Sequence, residues 1–174
     1  MDFVGALRRG WEIIQLKVET VRQVAEDQNA FLPALVILAI AGALGGIGQL
    51  NPLVIVAGAI LQPIVMFVVV GIFHLLALVF GGKGGYLPLY NVLGHGNGLL
   101  GWVGVVPFVG PFLAFIAGLW GIAIAIVSVR EVHRLSTGQA VVVVLIPVVL
   151  IIVCCVAATV MFSAALIGMI SSQQ

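Results

Sequence analysis

Charge is absent from most of this chain, and where it occurs it is confined to three short places. Asp2, Arg8, Arg9, Glu12, Lys17, Glu19, Arg22, Glu26 and Asp27 hold nine of the thirteen charged side chains, Lys83 stands alone, and Arg130, Glu131 and Arg134 form the third group. Between them run uncharged stretches of 55 residues (28–82), 46 residues (84–129) and 40 residues (135–174). A charge at mid-bilayer costs about 2.5–3.5 kcal/mol on insertion scales, so the uncharged stretches are where a membrane must lie. Composition agrees. Charged residues are 7% of the chain and hydrophobic ones 63%, whereas soluble domains are about a quarter charged. At 174 residues the chain suits one domain. A disordered chain, a disulfide scaffold and a nucleic-acid binder are excluded, since a net charge of +1 offers no basic field for phosphates.

A spanning helix needs about 20 residues, so each long run holds one or two. The first divides at Gln49-Leu50-Asn51-Pro52, a polar corner with a proline, and the second at Pro107-Phe108-Val109-Gly110-Pro111. The spans are then 31–50, 53–80, 87–106, 112–129 and one long segment over 139–170. With the N-terminus in the cytoplasm, all seven Lys and Arg fall on the cytoplasmic side, as the positive-inside rule requires. The fold class is therefore all-α, a polytopic membrane protein of five transmembrane helices, N-in and C-out.

Residues 1–30 are expected to form a cytoplasmic amphipathic helix, 31–170 the membrane domain, and 171–174 a short tail on the other side. In the first segment Phe3, Leu7, Trp11, Ile14, Val18, Val21 and Val24 recur at steps of three and four. Arg8–Glu12 and Arg22–Glu26 are spaced for ion pairs on the other face. Such a helix should lie along the membrane surface as an anchor, or dock a partner. Asn29 and Pro33 are start signals for the first span. Ala41-x-x-x-Gly45 and Gly42-x-x-x-Gly46 let helix backbones approach closely and point to internal packing. The second span is roughly 42 Å of helix, longer than a ~30 Å hydrocarbon core, and tilt or a kink at Pro63 should absorb the excess. Cys154 and Cys155, adjacent in the last span, are read as packing residues.

Residues 81–110 hold ten of the 22 glycines and most of the intramembrane polar groups. Gly94-His95-Gly96-Asn97-Gly98 is a poor helix, so the third crossing should be broken, re-entrant or buried among the others. His74, Tyr90, Asn91, His95 and Asn97 are the candidate intramembrane polar site. Either they serve a site of the kind transporters build from interrupted segments, or they mark a packed kink. His74, His95 and His133 have no metal-ligand spacing. Gly81-Gly82-Lys83-Gly84-Gly85 lacks the Walker pattern and is read as a flexible turn. Arg130 and Arg134 share a helix face and could grip a lipid phosphate or an acidic partner. Trp11, Lys83, Arg130, Glu131 and Arg134 thus make the candidate cytoplasmic face. No enzyme motif, cofactor site or metal site is found, so catalysis is not expected.

Gly81-Gly82, then Val106-Pro107-Phe108-Val109-Gly110, Leu119-Trp120, the string Val129-Arg130-Glu131-Val132-His133-Arg134-Leu135-Ser136-Thr137-Gly138-Gln139-Ala140, and Pro147 follow one another in order. This series resembles the prokaryotic branch of the Yip family, the Ypt/Rab-interacting membrane proteins, over roughly residues 10–170. The resemblance implies five spans with the N-terminus inside, and structural roles for Gly81, Gly82, Pro107, Gly110, Trp120, Leu135, Ser136, Ala140 and Pro147. The eukaryotic members' polar N-terminal region and Asp-Leu-Tyr-Gly-Pro motif have no counterpart here, so binding of a Rab-type GTPase is not expected. Gln139 stands where many prokaryotic members carry Lys or Arg, and Lys17-Val18 where a proline often follows the first amphipathic helix. The expected role is a non-enzymatic scaffold or adaptor in a bacterial or archaeal cytoplasmic membrane, working with membrane lipids and with copies of itself or a membrane-protein partner. The alternative is a small transporter or channel built on the third crossing.

Overall fold

The computed structural model describes residues 2–171; all of the expected tail except Ser171 lies outside them. Among the described residues there is no strand. The helices are α1 (Phe3–Ile14), α2 (Val18–Glu26), α3 (Phe31–Gly48), α4 (Pro52–Val79), α5 (Tyr86–Leu100), α6 (Gly110–His133) and α7 (Thr137–Ser171), with a 3-10 turn at Gly101–Val105 after α5. Among the described residues four helical segments are long and apolar enough to cross a membrane: Phe31–Gly48, Pro52–Val79, Phe112–His133 and Thr137–Ser163. The third expected crossing is absent from that set, because α5 has only 15 residues against the about 20 a span needs.

Helices α3 and α4 form a close antiparallel hairpin. Asn51 caps α4 by accepting from the Leu53 and Val54 amides, and Pro52 supplies the first helical residue. A Cβ on Gly42 would stand 2.0 Å from the Gly58 carbonyl oxygen, and one on Gly46 would stand 2.3 Å from the Ile55 amide nitrogen. The Gly42–Gly46 pair therefore serves internal packing, as expected, while Gly45 faces open space.

Helix α5 runs parallel to α3. Tyr90 meets Phe31, Gly94 meets Ala34, Gly98 meets Leu38, and Gly104 beyond the helix meets Gly48. Its glycines do not break it, because each allows a neighbour to come close: Ala34 at Gly94, and Ile13 and Ile124 at Gly96. Of the expected alternatives, burial among other helices is the one found. Leu89 to Gly96 are all buried.

The N-terminal segment departs from the single expected helix: it is two helices, since the chain turns at Leu16 with φ of 60°. One face of each is seated on the bundle. Ala6, Gly10 and Ile13 of α1 and Thr20, Val21 and Val24 of α2 are buried, and a Cβ on Gly10 would touch the His95 carbonyl. The seated face of α1 is thus Ala6–Gly10–Ile13, and Trp11 is left exposed. The two short helices cover α5, which is how a helix with so many polar groups is enclosed.

Candidate functional site

Two turns and one helix meet at the charged end of the bundle. Helix α4 ends with Gly81 at φ of 83° while the Gly82 amide donates to the Ala77 carbonyl, a left-handed close that glycine accommodates. The Lys83 amide donates to the His133 carbonyl at 3.1 Å, and Gly84 lies so close that a Cβ would stand 2.2 Å from the Val132 oxygen. Gly82 and Gly84 thereby let the α4–α5 turn rest on the end of α6. Ser136 and Gln139 make a reciprocal cap on α7: the Gln139 amide donates to Ser136 Oγ at 3.3 Å, and the Ser136 amide to Gln139 Oε1 at 3.0 Å. Gln139 Nε2 also donates to the Phe80 carbonyl. This Ser-x-x-Gln signal was present in the sequence and passed over there.

Glu131 is the electrostatic centre. Its Oε2 accepts from Arg22 and its Oε1 from Arg130, each through two guanidinium nitrogens at 2.7–2.8 Å. Its side chain is only 10% exposed. Arg22 therefore pairs across the fold rather than with Glu26. Arg130 and Arg134 are not alike in their surroundings. Arg130 is held by Glu131, and Arg134 leaves the helix axis at φ 55° as the cap of α6. Arg8–Glu12 does pair, at 3.5 Å. Instead, Arg22, Lys83 and Arg134, with Glu26, line a groove of about 310 Å³ beside Gly84, Gly85 and Pro88. Lys83 and Arg134 make no ion pair among the described residues. Trp11 lies elsewhere, on the outer side of α1.

The N-terminal helices are tied down by charge as well as packing. Arg9 bonds Asp27 at 2.6 Å, and this hydrogen bond, then one from the Asn29 amide, lowers the Asp27 carboxyl below its ordinary range. The Thr20 hydroxyl bonds Glu12 at 2.8 Å and lowers that carboxyl, with Lys17 and Arg8 adding to it. Trp120, exposed on α6, donates its indole N–H to the Ile14 carbonyl at 2.9 Å, fastening the end of α1.

The predicted polar residues separate into two places. His74 and His133 share a ring hydrogen bond of 2.9 Å beside Tyr86. His95 is remote from them: its Nδ1 bonds the Asn91 carbonyl at 2.7 Å. Among the described residues no three His, Cys, Asp or Glu side chains gather as metal ligands. Tyr90 reaches the Pro63 carbonyl at 3.5 Å and stacks on Phe67. Asn91 Oδ1, His95 Nε2 and Asn97 Oδ1 are buried without a partner. Of the remaining motif residues, Pro107 makes the turn before α6, Gly110 opens that helix against the Gly104 carbonyl, Leu135 and Ala140 are buried, and Pro147 lies inside α7. Helix α5 is continuous over Tyr86–Leu100, so Tyr90, Asn91, His95 and Asn97 lie on an unbroken helix.

The chain has no match among curated proteins or solved structures. The family model described as the Yip1 domain matches residues 11–159, from Trp11 through the buried α5 and the capped α6–α7 turn into the last apolar helix. With four helical segments fit to span a bilayer, this chain is an integral membrane protein that belongs to the Yip1 domain family.

Proposed function

We propose that the protein is a non-enzymatic membrane adaptor with five crossings, N-in and C-out, residing in a bacterial or archaeal cytoplasmic membrane. Its cytoplasmic end recruits an acidic membrane-protein partner through the groove of Arg22, Lys83 and Arg134. The observation that carries this reading is that Lys83 and Arg134 both line that groove, with Glu26, and make no ion pair among the described residues, while Arg22 and Arg130 are tied to Glu131. The fifth crossing is supported by reach. Helix α5 covers about 22 Å and the 3-10 turn after it about 10 Å, together a bilayer's ~30 Å, and the pair runs parallel to α3 along its length.

The double reversal Lys83→Glu with Arg134→Glu is expected to release a co-purifying partner while the protein still inserts. Unchanged co-purification would sink the adaptor reading. Topology is checked separately in a chain with Cys154→Ser and Cys155→Ser. Single cysteines at Lys83 and Thr137 should label from the cytoplasmic side, and one at Gln49 from the opposite side. Labelling of Lys83→Cys and Thr137→Cys from opposite sides would refute five crossings.

A further inference from the structure

Among the described residues a single side-chain hydrogen bond joins α4 to α6, and both of its partners are histidines. His74 Nδ1 and His133 Nε2 stand 2.9 Å apart, with ring centroids separated by 5.2 Å. The α4–α5 turn rests on the same seam. The Lys83 amide donates to the His133 carbonyl, and a Cβ on Gly82 would stand 3.0 Å from His133 Cβ. The groove at this end takes Lys83, Gly84 and Gly85 from that turn, and Val132 and Arg134 from the end of α6.

A neutral imidazole has one N–H and one bare nitrogen. The bridge therefore needs one ring to donate and the other to accept. With both rings protonated, both facing nitrogens carry hydrogen and no acceptor remains between them. Two like charges then face each other as well. The second nitrogen of His133, Nδ1, is buried without a partner. The closed seam has no place for a second proton, whereas separated rings each take one from water. Acid favours the open form, because that form binds more protons. Below the ordinary histidine value of about 6.5, the open-to-closed ratio rises up to about tenfold per pH unit for each extra proton.

No neighbouring group supplies the missing acceptor. Tyr86 of α5 faces His74 edge-on at 5.9 Å between centroids, and its hydroxyl donates to the Phe67 carbonyl. Glu131 of α6 is held by Arg22 of α2 and by Arg130. Lys83 and Arg134, in the flanking turns, are cations. Helix α7 carries no titratable side chain before Cys154. Among the described residues no carboxylate lies within 4.0 Å of a nitrogen of either ring.

We propose that His74 and His133 form a proton-operated clasp: neutral, they hold the α4–α5 turn against the end of α6, and acidification parts them and carries Lys83 away from Arg134. That acid then weakens partner binding rests on the adaptor reading. The clasp itself does not.

The test uses the full chain in lipid vesicles, with Cys154→Ser and Cys155→Ser and spin labels on Lys83→Cys and Arg134→Cys. Both labelled positions are exposed, and neither belongs to the pair. Pulsed EPR should give one short distance at pH 7.5 and a second, longer population that grows reversibly toward pH 5. His74→Asn sets an amide where Nδ1 stands, and His133→Gln sets one where Nε2 stands. Each keeps a bridge that takes up no second proton, so each should abolish the longer population at pH 5. An unchanged distance between pH 7.5 and 5, or a full response in either variant, overturns the clasp. If the variants fail to fold, 15N spectra of the three histidine rings in the labelled chain decide. A distance change while fewer than two rings gain a proton overturns it equally. Loss of a co-purifying partner at pH 5 without any distance change refutes the clasp and leaves the adaptor reading standing. The expected distance change in a protein that binds no partner does the reverse.

Discussion

At the scale of single residues, the fold places side chains where sequence rules would not put them. Leu16, Leu50 and Arg134 close helices in the left-handed region, with φ of 60°, 53° and 55°. Among the described residues glycine does that work only at Gly81; the turn at Leu50 was legible from the polar Gln49–Pro52 corner around it, whereas nothing local marks the one at Leu16. A left-handed conformation costs an L-residue about 1–2 kcal/mol, which glycine avoids. Leu50 is 73% exposed, so Leu50→Gly gives up little packing, and it should raise the unfolding temperature in detergent by a degree or more. Glu131 is the opposite case. Glu131→Ala leaves Arg22 and Arg130 facing each other, and should destabilise by roughly 1.5–3 kcal/mol, the worth of hydrogen bonds to a charged group. Thermal unfolding reads the loss, and Arg134→Ala serves as the silent control. Asp27 carries the pH dependence. Its lowered carboxyl contributes stability that is complete above the ordinary aspartate value of about 4 and is lost as pH falls through the lowered value. The unfolding temperature should therefore drop below that pH, and Asp27→Asn should lower it at neutral pH while flattening the acid limb.

At the scale of elements, the contrast between Gly42 and Gly45 measures how closely α3 and α4 pack. Gly42→Leu must drive a side chain into the Gly58 backbone, whereas Gly45→Leu enters open space. The first should cost roughly 1–3 kcal/mol or prevent folding, as overpacking does. The second should be near neutral, and comparison of melting and yield in detergent checks both. The spacing of those glycines and the Asn51-Pro52 cap were readable in the sequence because they are local signals. The division of the N-terminal segment was not, since the periodic stripe continues through Leu16 and nothing local marks the turn. Its seated face was also missed. Hydrophobicity favoured Phe3, Leu7 and Trp11, but the buried positions are Ala6, Gly10 and Ile13, and at Gly10 the absence of a Cβ is what permits approach to the His95 carbonyl.

At the scale of the whole molecule, α1 and α2 act as a cover for α5. A chain lacking residues 2–27 would leave the neighbourhood of His95 and Gly96 open to lipid. Its yield and monodispersity in detergent should collapse, and Gly10→Leu should reproduce part of that loss. Unaltered stability of either variant would argue that the N-terminal helices are a dispensable anchor. By itself the sequence determined that the chain is all-helical, lives in a membrane and belongs with the Yip proteins, because a charge-free run longer than 18 residues has few physical fates and the family motifs lie in order. The tertiary structure alone decided which groups meet: Arg22 with Glu131 across 109 positions, His74 with His133, and α1 against α5. Those pairings follow from how helices cross and how near small residues let them come, and no local pattern in the chain encodes a distance between helices.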